Sequence, residues 1–348
     1  MKKTRLMSMV LLSASALALA VPTPSAGPAA EAMTVVQAQE AGTSLKLGYQ
    51  APHGDKAFAS VVVALDGDTI TDVVLDEYQF SDAEGFEAVP NADAGVGNGF
   101  AEGQRLFSKR ENSDEYSAMM TEHADSTVSY DDNLEAIEDA VKGKTIEEVE
   151  ALIEEVNALG EDGNISDVVT GATLVDAAGY LQAIVDTAKD GFTFSLNAGA
   201  NVELEQELTQ GSDENSFMLV TVATEDDTVL GVAIDEFQFL QGEDWEGVPN
   251  SDAGFGEGYA EGNVLASKLV NDEAYSAKIA EYAESTTNYA ASIQAIADFA
   301  AGKTVDELKA AVEELNGLGE DGSVADVITG ATLEKAPVYL QAIIDAAD

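Results

Sequence analysis

Apolar and small residues alternate along Phe58–Leu65, Asp66-Gly67 interrupts them, and an apolar pattern resumes over Ile70–Phe80. This spacing predicts two strands joined by a tight hairpin turn. The same succession returns as Phe217–Thr224, a turn at Glu225-Asp226-Asp227, and Val229–Phe239. A glycine-rich loop follows each hairpin, Asp93–Phe100 and Asp252–Tyr259. The period then becomes helical, with stretches carrying Tyr116 and Tyr275 near their starts, followed by Leu134–Val141 and Ile293–Phe299. Gly143-Lys144-Thr145 and Gly302-Lys303-Thr304 break that pattern, and Thr145 and Thr304 are placed to cap helices over Ile146–Ala158 and Val305–Asn316. Beyond Leu159–Gly163 and Leu318–Gly322, a short strand is expected to lead into the string Thr-Gly-Ala-Thr. A last helix is then expected over Leu174–Lys189 or Leu333–Ala347.

The two halves align without a gap at an offset of 159 residues, which carries Asp167–Thr173 onto Asp326–Thr332. Between Gly160–Ile184 and Gly319–Ile343, 17 of 25 positions are identical, so the chain is a tandem duplication. Strands and helices in clusters predict an α+β fold, each repeat a small antiparallel sheet with packed helices. The boundaries fall at 43–190 and 191–348, and each repeat is long enough to bury its own core. The junction near Lys189–Phe192 is short, which makes the repeats close neighbours.

Residues 1–42 read as a leader outside the fold. Lys2, Lys3 and Arg5 precede an apolar run from Val10 to Val21, and small residues follow at Ala18-Leu19-Ala20 and Ala30-Glu31-Ala32. This is the layout of a secretory signal, and a run of roughly 12 to 15 apolar residues is short of the ~20 that span a bilayer. The absence of cysteine excludes disulfides, iron–sulfur ligation and attachment of a lipid through a thiol. Sixteen basic against 65 acidic residues give a formal charge of -49, a surface that repels nucleic acid and anionic membranes. Its plainest use is solubility in a salty or cation-rich setting; steering of cationic partners is the alternative.

Thr173 and Thr332 stand just before apolar-periodic stretches, where an ordinary N-cap threonine belongs. Yet Val175 has become Glu334 and Asp176 has become Lys335, while the aspartate and the Thr-Gly-Ala-Thr string survive in both repeats. A small-residue turn presenting a hydroxyl resembles the attachment motif of the covalent FMN-binding domains. In that family FMN is esterified through its phosphate to the last threonine. The resemblance implies two covalent FMN groups on Thr173 and Thr332, installed by a flavin transferase that uses FAD and Mg. The recognition set would map onto Asp167, Thr170, Gly171 and Ala172, and onto Asp326, Thr329, Gly330 and Ala331. Such domains occur in subunits of the sodium-pumping quinone reductase and its ferredoxin-linked relative, and as tandem exported proteins serving extracellular electron transfer. Those exported proteins are commonly lipoproteins, whereas this chain has no cysteine to carry a lipid.

The expectation is an extracellular or cell-surface flavoprotein that relays electrons from a membrane quinone-linked donor to soluble or solid acceptors. A terminal flavin reductase of a small acceptor and a non-redox acidic surface protein are the competing readings. Phe100 and Tyr259, which close the glycine-rich loops, are expected to pack on the flavin ring. Lys109 and Lys268, repeated after Ser108 and Ser267, either stabilise reduced flavin or form a structural ion pair. His53 and His123 correspond to Ser212 and Tyr282, which rules out a duplicated catalytic or metal-binding histidine.

Overall fold

The computed structural model describes residues 42–82, 85–124, 126–160, 163–199, 201–282, 286–319 and 322–348. The leader and its cleavage sites lie outside the described residues. Among the described residues no helix is long and apolar enough to cross a membrane.

The first repeat contains β1 (Thr43–Gln50), β2 (Ala57–Asp66), β3 (Thr69–Ser81), β4 (Arg105–Ser108), α1 (Ser113–Ala124), α2 (Tyr130–Val141), α3 (Ile146–Ala158) and α4 (Ala177–Asp190). A connecting strand, β5 (Phe192–Ser195), leads into β6 (Glu203–Gln210), β7 (Ser216–Glu225), β8 (Thr228–Gln241) and β9 (Asn263–Ser267). The second repeat closes with α5 (Asp272–Tyr282), α6 (Tyr289–Ala300), α7 (Val305–Asn316), the short α8 (Val324–Val327) and α9 (Ala336–Ala347). Two antiparallel sheets result, ordered β4-β3-β2-β1-β5 and β6-β7-β8-β9, and the fold is α+β.

The predicted hairpins form in register, with Val62 opposite Val74 and Val220 opposite Ile234. A register shift falls at Ala64/Leu65 and at Ala223/Thr224, the same place in each repeat. Thr145 and Thr304 cap α3 and α7 through complete capping boxes with Glu148 and Glu307, as their spacing predicts. The Gly-Lys-Thr segments do more than break a helix. Ile70 N–H donates to the Lys144 carbonyl and Val229 N–H to that of Lys303, both at 2.9 Å, which ties each segment to the start of a strand.

Burial separates the structure from the two self-sufficient domains that the sequence implies. β2 is buried along Ala57–Leu65 and β7 along Ser216–Ala223, so both faces of each strand are covered. Ala59, Val61, Val63 and Leu65 face the helices of their own repeat. The opposite positions Leu45, Leu47, Val62, Ala64 and Val74 join the core of the second repeat. The boundary at 190/191 needs correction for a related reason. β5 lies beyond it yet pairs with β1 of the first sheet, Leu45 opposite Phe194. Leu196 then bridges to Gly231 and Asn197 N–H donates to the Leu230 carbonyl at 2.9 Å, so the connector stitches one sheet to the other.

Candidate functional site

Each residue of the Thr-Gly-Ala-Thr string has a distinct physical task. Val169 and Ile328, just before it, are fully buried, as are Ala172 and Ala331 within it. Ala172 N–H donates to the Val169 carbonyl and Ala331 N–H to that of Ile328, both at 3.1 Å, closing a four-residue turn. The third position of that turn has φ +96° at Gly171 and +93° at Gly330, a conformation that favours glycine. A Cβ there would also press on Ala136 or Ala295 of the neighbouring helix, at 3.2 and 3.4 Å. The turn is thus pinned from inside by alanine and bent by glycine. Thr170 and Thr329 lie on its exposed side, Thr173 is exposed, and Thr332 is half-buried.

Two local expectations are corrected. The segment before the turn is not a strand: Ile165–Asp167 is a 3-10 turn and Val324–Val327 a single helical turn. The last helices begin at Ala177 and Ala336, so Thr173 and Thr332 are not their N-caps. An extra turn, in which Ala177 N–H bonds the Leu174 carbonyl at 3.1 Å and Ala336 N–H that of Leu333 at 3.0 Å, separates threonine from helix. What holds the threonine is a side chain from α2 or α6. The Asn133 amide oxygen accepts from Thr173 N–H at 2.6 Å, from the Thr173 hydroxyl at 3.2 Å and from Leu174 N–H at 3.2 Å. In the second repeat Ser292 takes this place, accepting from Thr332 N–H at 3.3 Å. Neither latch was legible beforehand, because each is separated from its threonine by 40 residues.

Asp167 and Asp326 are both exposed. Asp326 accepts a hydrogen bond from Ser323 N–H at 2.9 Å and so shapes the turn before the motif.

Beside Thr332 lies a cleft of about 250 Å³ lined by Tyr275, Ile279, Tyr289, Leu333 and Tyr339, with Ser212, Asp213, Glu334 and Lys335 at its polar edges. Behind the tyrosines is a buried charged cluster. Glu236 accepts from Ser212 N–H and Oγ at 2.7 Å each, from Ser216 Oγ and from the Tyr339 hydroxyl. Lys268 Nζ stands 2.8 Å from Glu236 and 4.7 Å from the centre of the Tyr275 ring. Burial alone would raise the Glu236 carboxyl, but Lys268 and the hydrogen bonds hold it below the usual carboxylate range. Burial also pushes the Tyr289 and Tyr339 hydroxyls well above the usual phenol value, helped by the Glu236 charge, so both stay neutral.

The first repeat has the same frame. Glu77 is paired with Lys109 and accepts from Tyr180 at 3.0 Å and Tyr130 at 3.4 Å, and Lys109 lies 4.7 Å from the Tyr116 ring centre. Its rim differs. His53 lies 3.8 Å from Glu77 and 3.6 Å from Asp176, where the second repeat has Ser212 and Lys335. Glu77 and Glu236 escaped the sequence reading as site residues. Their signal was there: an acidic pair, Asp76-Glu77 or Asp235-Glu236, in the middle of an apolar strand and kept in both copies.

Of the remaining expected site residues, Lys109 and Lys268 form the structural ion pair and lie behind the cleft tyrosines. Phe100 and Tyr259 bridge to one another and pack with Phe80 and Phe239 where the repeats meet. No residue of the glycine-rich loops lines the Thr332 cleft. No protein-family model, curated protein or solved structure matches the chain.

Proposed function

We propose that the protein is an exported electron carrier bearing two FMN groups, each joined by a phosphoester to Thr173 or Thr332. The observation that carries this reading is the duplicated turn, whose glycine and alanine hold Thr173 exposed and Thr332 half-buried, with an aromatic cleft beside Thr332. The residues present suit the group. Tyr275, Tyr289, Tyr339 and Leu333 offer aromatic and apolar surface to a flat ring system, and Lys335 shares the polar rim with Asp213 and Glu334. The cleft is a little smaller than the ~300–1,000 Å³ usual for small molecules, so a ring bound there keeps an edge in solvent. That exposure favours electron transfer by contact over turnover of an enclosed substrate.

Bound FMN would supply one- and two-electron redox chemistry. Attachment needs little from the chain. The threonine oxygen forms the bond to phosphorus while the pyrophosphate of FAD breaks, AMP leaves and the hydroxyl proton is lost. Thr173 already donates that proton inward to Asn133, which fixes the hydroxyl's direction. Exposed Asp167 and Asp326 are available for the transferase to read. The buried Lys–Glu pairs keep the tyrosine walls in place at no net charge.

Co-expression with a flavin transferase tests this. The intact mass should rise by two FMN groups, and Thr173→Ala or Thr332→Ala should each remove one. Neither threonine caps a helix, so both variants should remain folded. A colourless wild-type chain of unchanged mass, made beside an active transferase and ample FAD, would leave the non-redox reading in its place.

A further inference from the structure

The glycine-rich loops reach across to the partner repeat, one at the segment that lines the Thr332 cleft and the other at the corresponding segment of the first repeat. Asn91 Nδ2 donates to the Asp213 carbonyl at 3.2 Å and to that of Ser216 at 2.8 Å. Its counterpart Asn250 donates to the Gly54 carbonyl at 3.0 Å and to that of Ala57 at 2.6 Å. Backbone bonds repeat the arrangement: Val96 N–H donates to the Glu214 carbonyl at 3.1 Å, and Phe255 N–H to that of Asp55 at 2.8 Å. Both asparagines have left-handed backbones, φ +62° and +66°, which asparagine tolerates better than most residues. The glycines beside them are required by proximity. A Cβ on Gly95 would meet Asn215 Oδ1 at 2.2 Å and the Glu214 carbonyl at 2.7 Å.

The clamped segments are not passive connectors. Residues 211–216 carry Ser212 and Asp213, which line the Thr332 cleft, and Ser212 and Ser216 also bond Glu236 behind it. Residues 51–57 carry His53, which faces Glu77 and Asp176 beside Thr173. We propose that each repeat's glycine-rich loop completes the threonine site of the other repeat, with Asn91 a positioning residue for the Thr332 site and Asn250 one for the Thr173 site. That these sites take FMN rests on the reading above; the crosswise positioning does not. Neither repeat alone would then hold a finished site.

The experiment uses the full chain, with Asn91→Ala and Asn250→Ala each placed in Thr173→Ala and Thr332→Ala backgrounds so that only one site can be labelled. Loss of both hydrogen bonds should slow transferase labelling about tenfold at the opposite site. Asn250→Ala should thus impair Thr173 and spare Thr332 in its own repeat, within about twofold, and Asn91→Ala the reverse. Hydrogen exchange on the unlabelled chain reads positioning without any flavin: Asn91→Ala should speed exchange over 211–216, and Asn250→Ala over 51–57. If exchange crosses over but the wild type accepts no flavin, the positioning stands and the flavin reading fails. If flavin attaches and the asparagine variants impair their own repeat, both sites equally or neither, the crosswise role is overturned. Should an asparagine variant fail to fold, Gly95→Ala replaces Asn91→Ala and Gly254→Ala, whose methyl meets Lys56 and Asp55, replaces Asn250→Ala. Gly95 has φ -65°, so its own backbone accepts alanine, and the added methyl meets Asn215 and the Glu214 carbonyl first.

Discussion

Two places in the molecule share one backbone frame and fill it with opposite chemistry. In the first repeat Arg110 bonds Glu138 at 2.7 Å and Asp131 at 2.9 Å, while Glu138 also accepts from Leu75 N–H at 3.0 Å. In the second repeat the same positions are Leu269, Ala297 and Ala290, and Leu269 and Ala297 are buried in the core. Sheet register and helix placement survive the exchange. A hydrogen-bonded ionic cluster and an apolar one are therefore equivalent supports here, as expected when the cost of desolvating charge nearly cancels its attraction. The Lys109–Glu77 and Lys268–Glu236 pairs did not diverge in this way. Their surroundings include the tyrosines beside the threonine turns, so the contrast separates support that any chemistry can provide from a charged cluster tied to the cleft.

The comparison breaks most visibly by leaving one half of an ionic cluster in place. Glu138→Ala leaves the Arg110 guanidinium with only Asp131 and the Leu75 carbonyl and frees Leu75 N–H, and should destabilise the chain by about 3–4 kcal/mol. The triple change Arg110→Leu, Asp131→Ala, Glu138→Ala imports the second repeat's solution and should recover most of that loss in urea denaturation. A triple variant as unstable as the single one would show that the repeats are not interchangeable at this position.

A feature common to both repeats has the next largest effect. Burial pushes the Asp76 and Asp235 carboxyls up to about 6, against the pull of Ser108 and Ser267 and of backbone N–H donors. The unfolded chain sheds these protons near pH 4 and the folded chain keeps them to about 6. Stability from each group is therefore full below about pH 4 and lost as pH rises through 6, by about 3 kcal/mol per group. The net charge also weakens the fold as pH rises, so the measurement is a difference: wild type minus Asp76→Asn, and wild type minus Asp235→Asn, from pH 4 to 7. Each difference should fall with pH, and a flat line for either would contradict its buried, proton-holding state.

The threonine latches should differ by less. Asn133→Ala removes the acceptor shared by Thr173 N–H, its hydroxyl and Leu174 N–H, and should cost about 1–2 kcal/mol. Asn133→Ser copies the second repeat and should cost about half as much in the same denaturation assay. The smallest effect belongs to the rim, where His53→Ser should move stability by less than about 0.5 kcal/mol because the imidazole is half-exposed. A larger change would make His53 part of the support.

The sequence by itself determined whatever depends on neighbours along the chain. Hairpin alternation, the capping boxes at Thr145 and Thr304, and the glycine that the turn before Thr173 or Thr332 requires are all set within a few residues. Duplication made those signals stronger by showing each of them twice. Tertiary structure alone decided what depends on which surfaces meet. β5 falls on the second-repeat side of the boundary drawn at 190/191, yet it completes the first sheet by pairing with the edge of β1. Phe100 and Tyr259 follow loops whose composition fits a cofactor site equally well, and they became contacts between repeats because the loops dock on the opposite hairpin connection. Lys109 and Lys268 read equally well as partners of a reduced flavin or as members of an ion pair until burial set each against a glutamate. Backbone preference and side-chain period are local properties; pairing of strands, clamping of loops and neutralisation of buried charge are settled only when distant segments exclude water together.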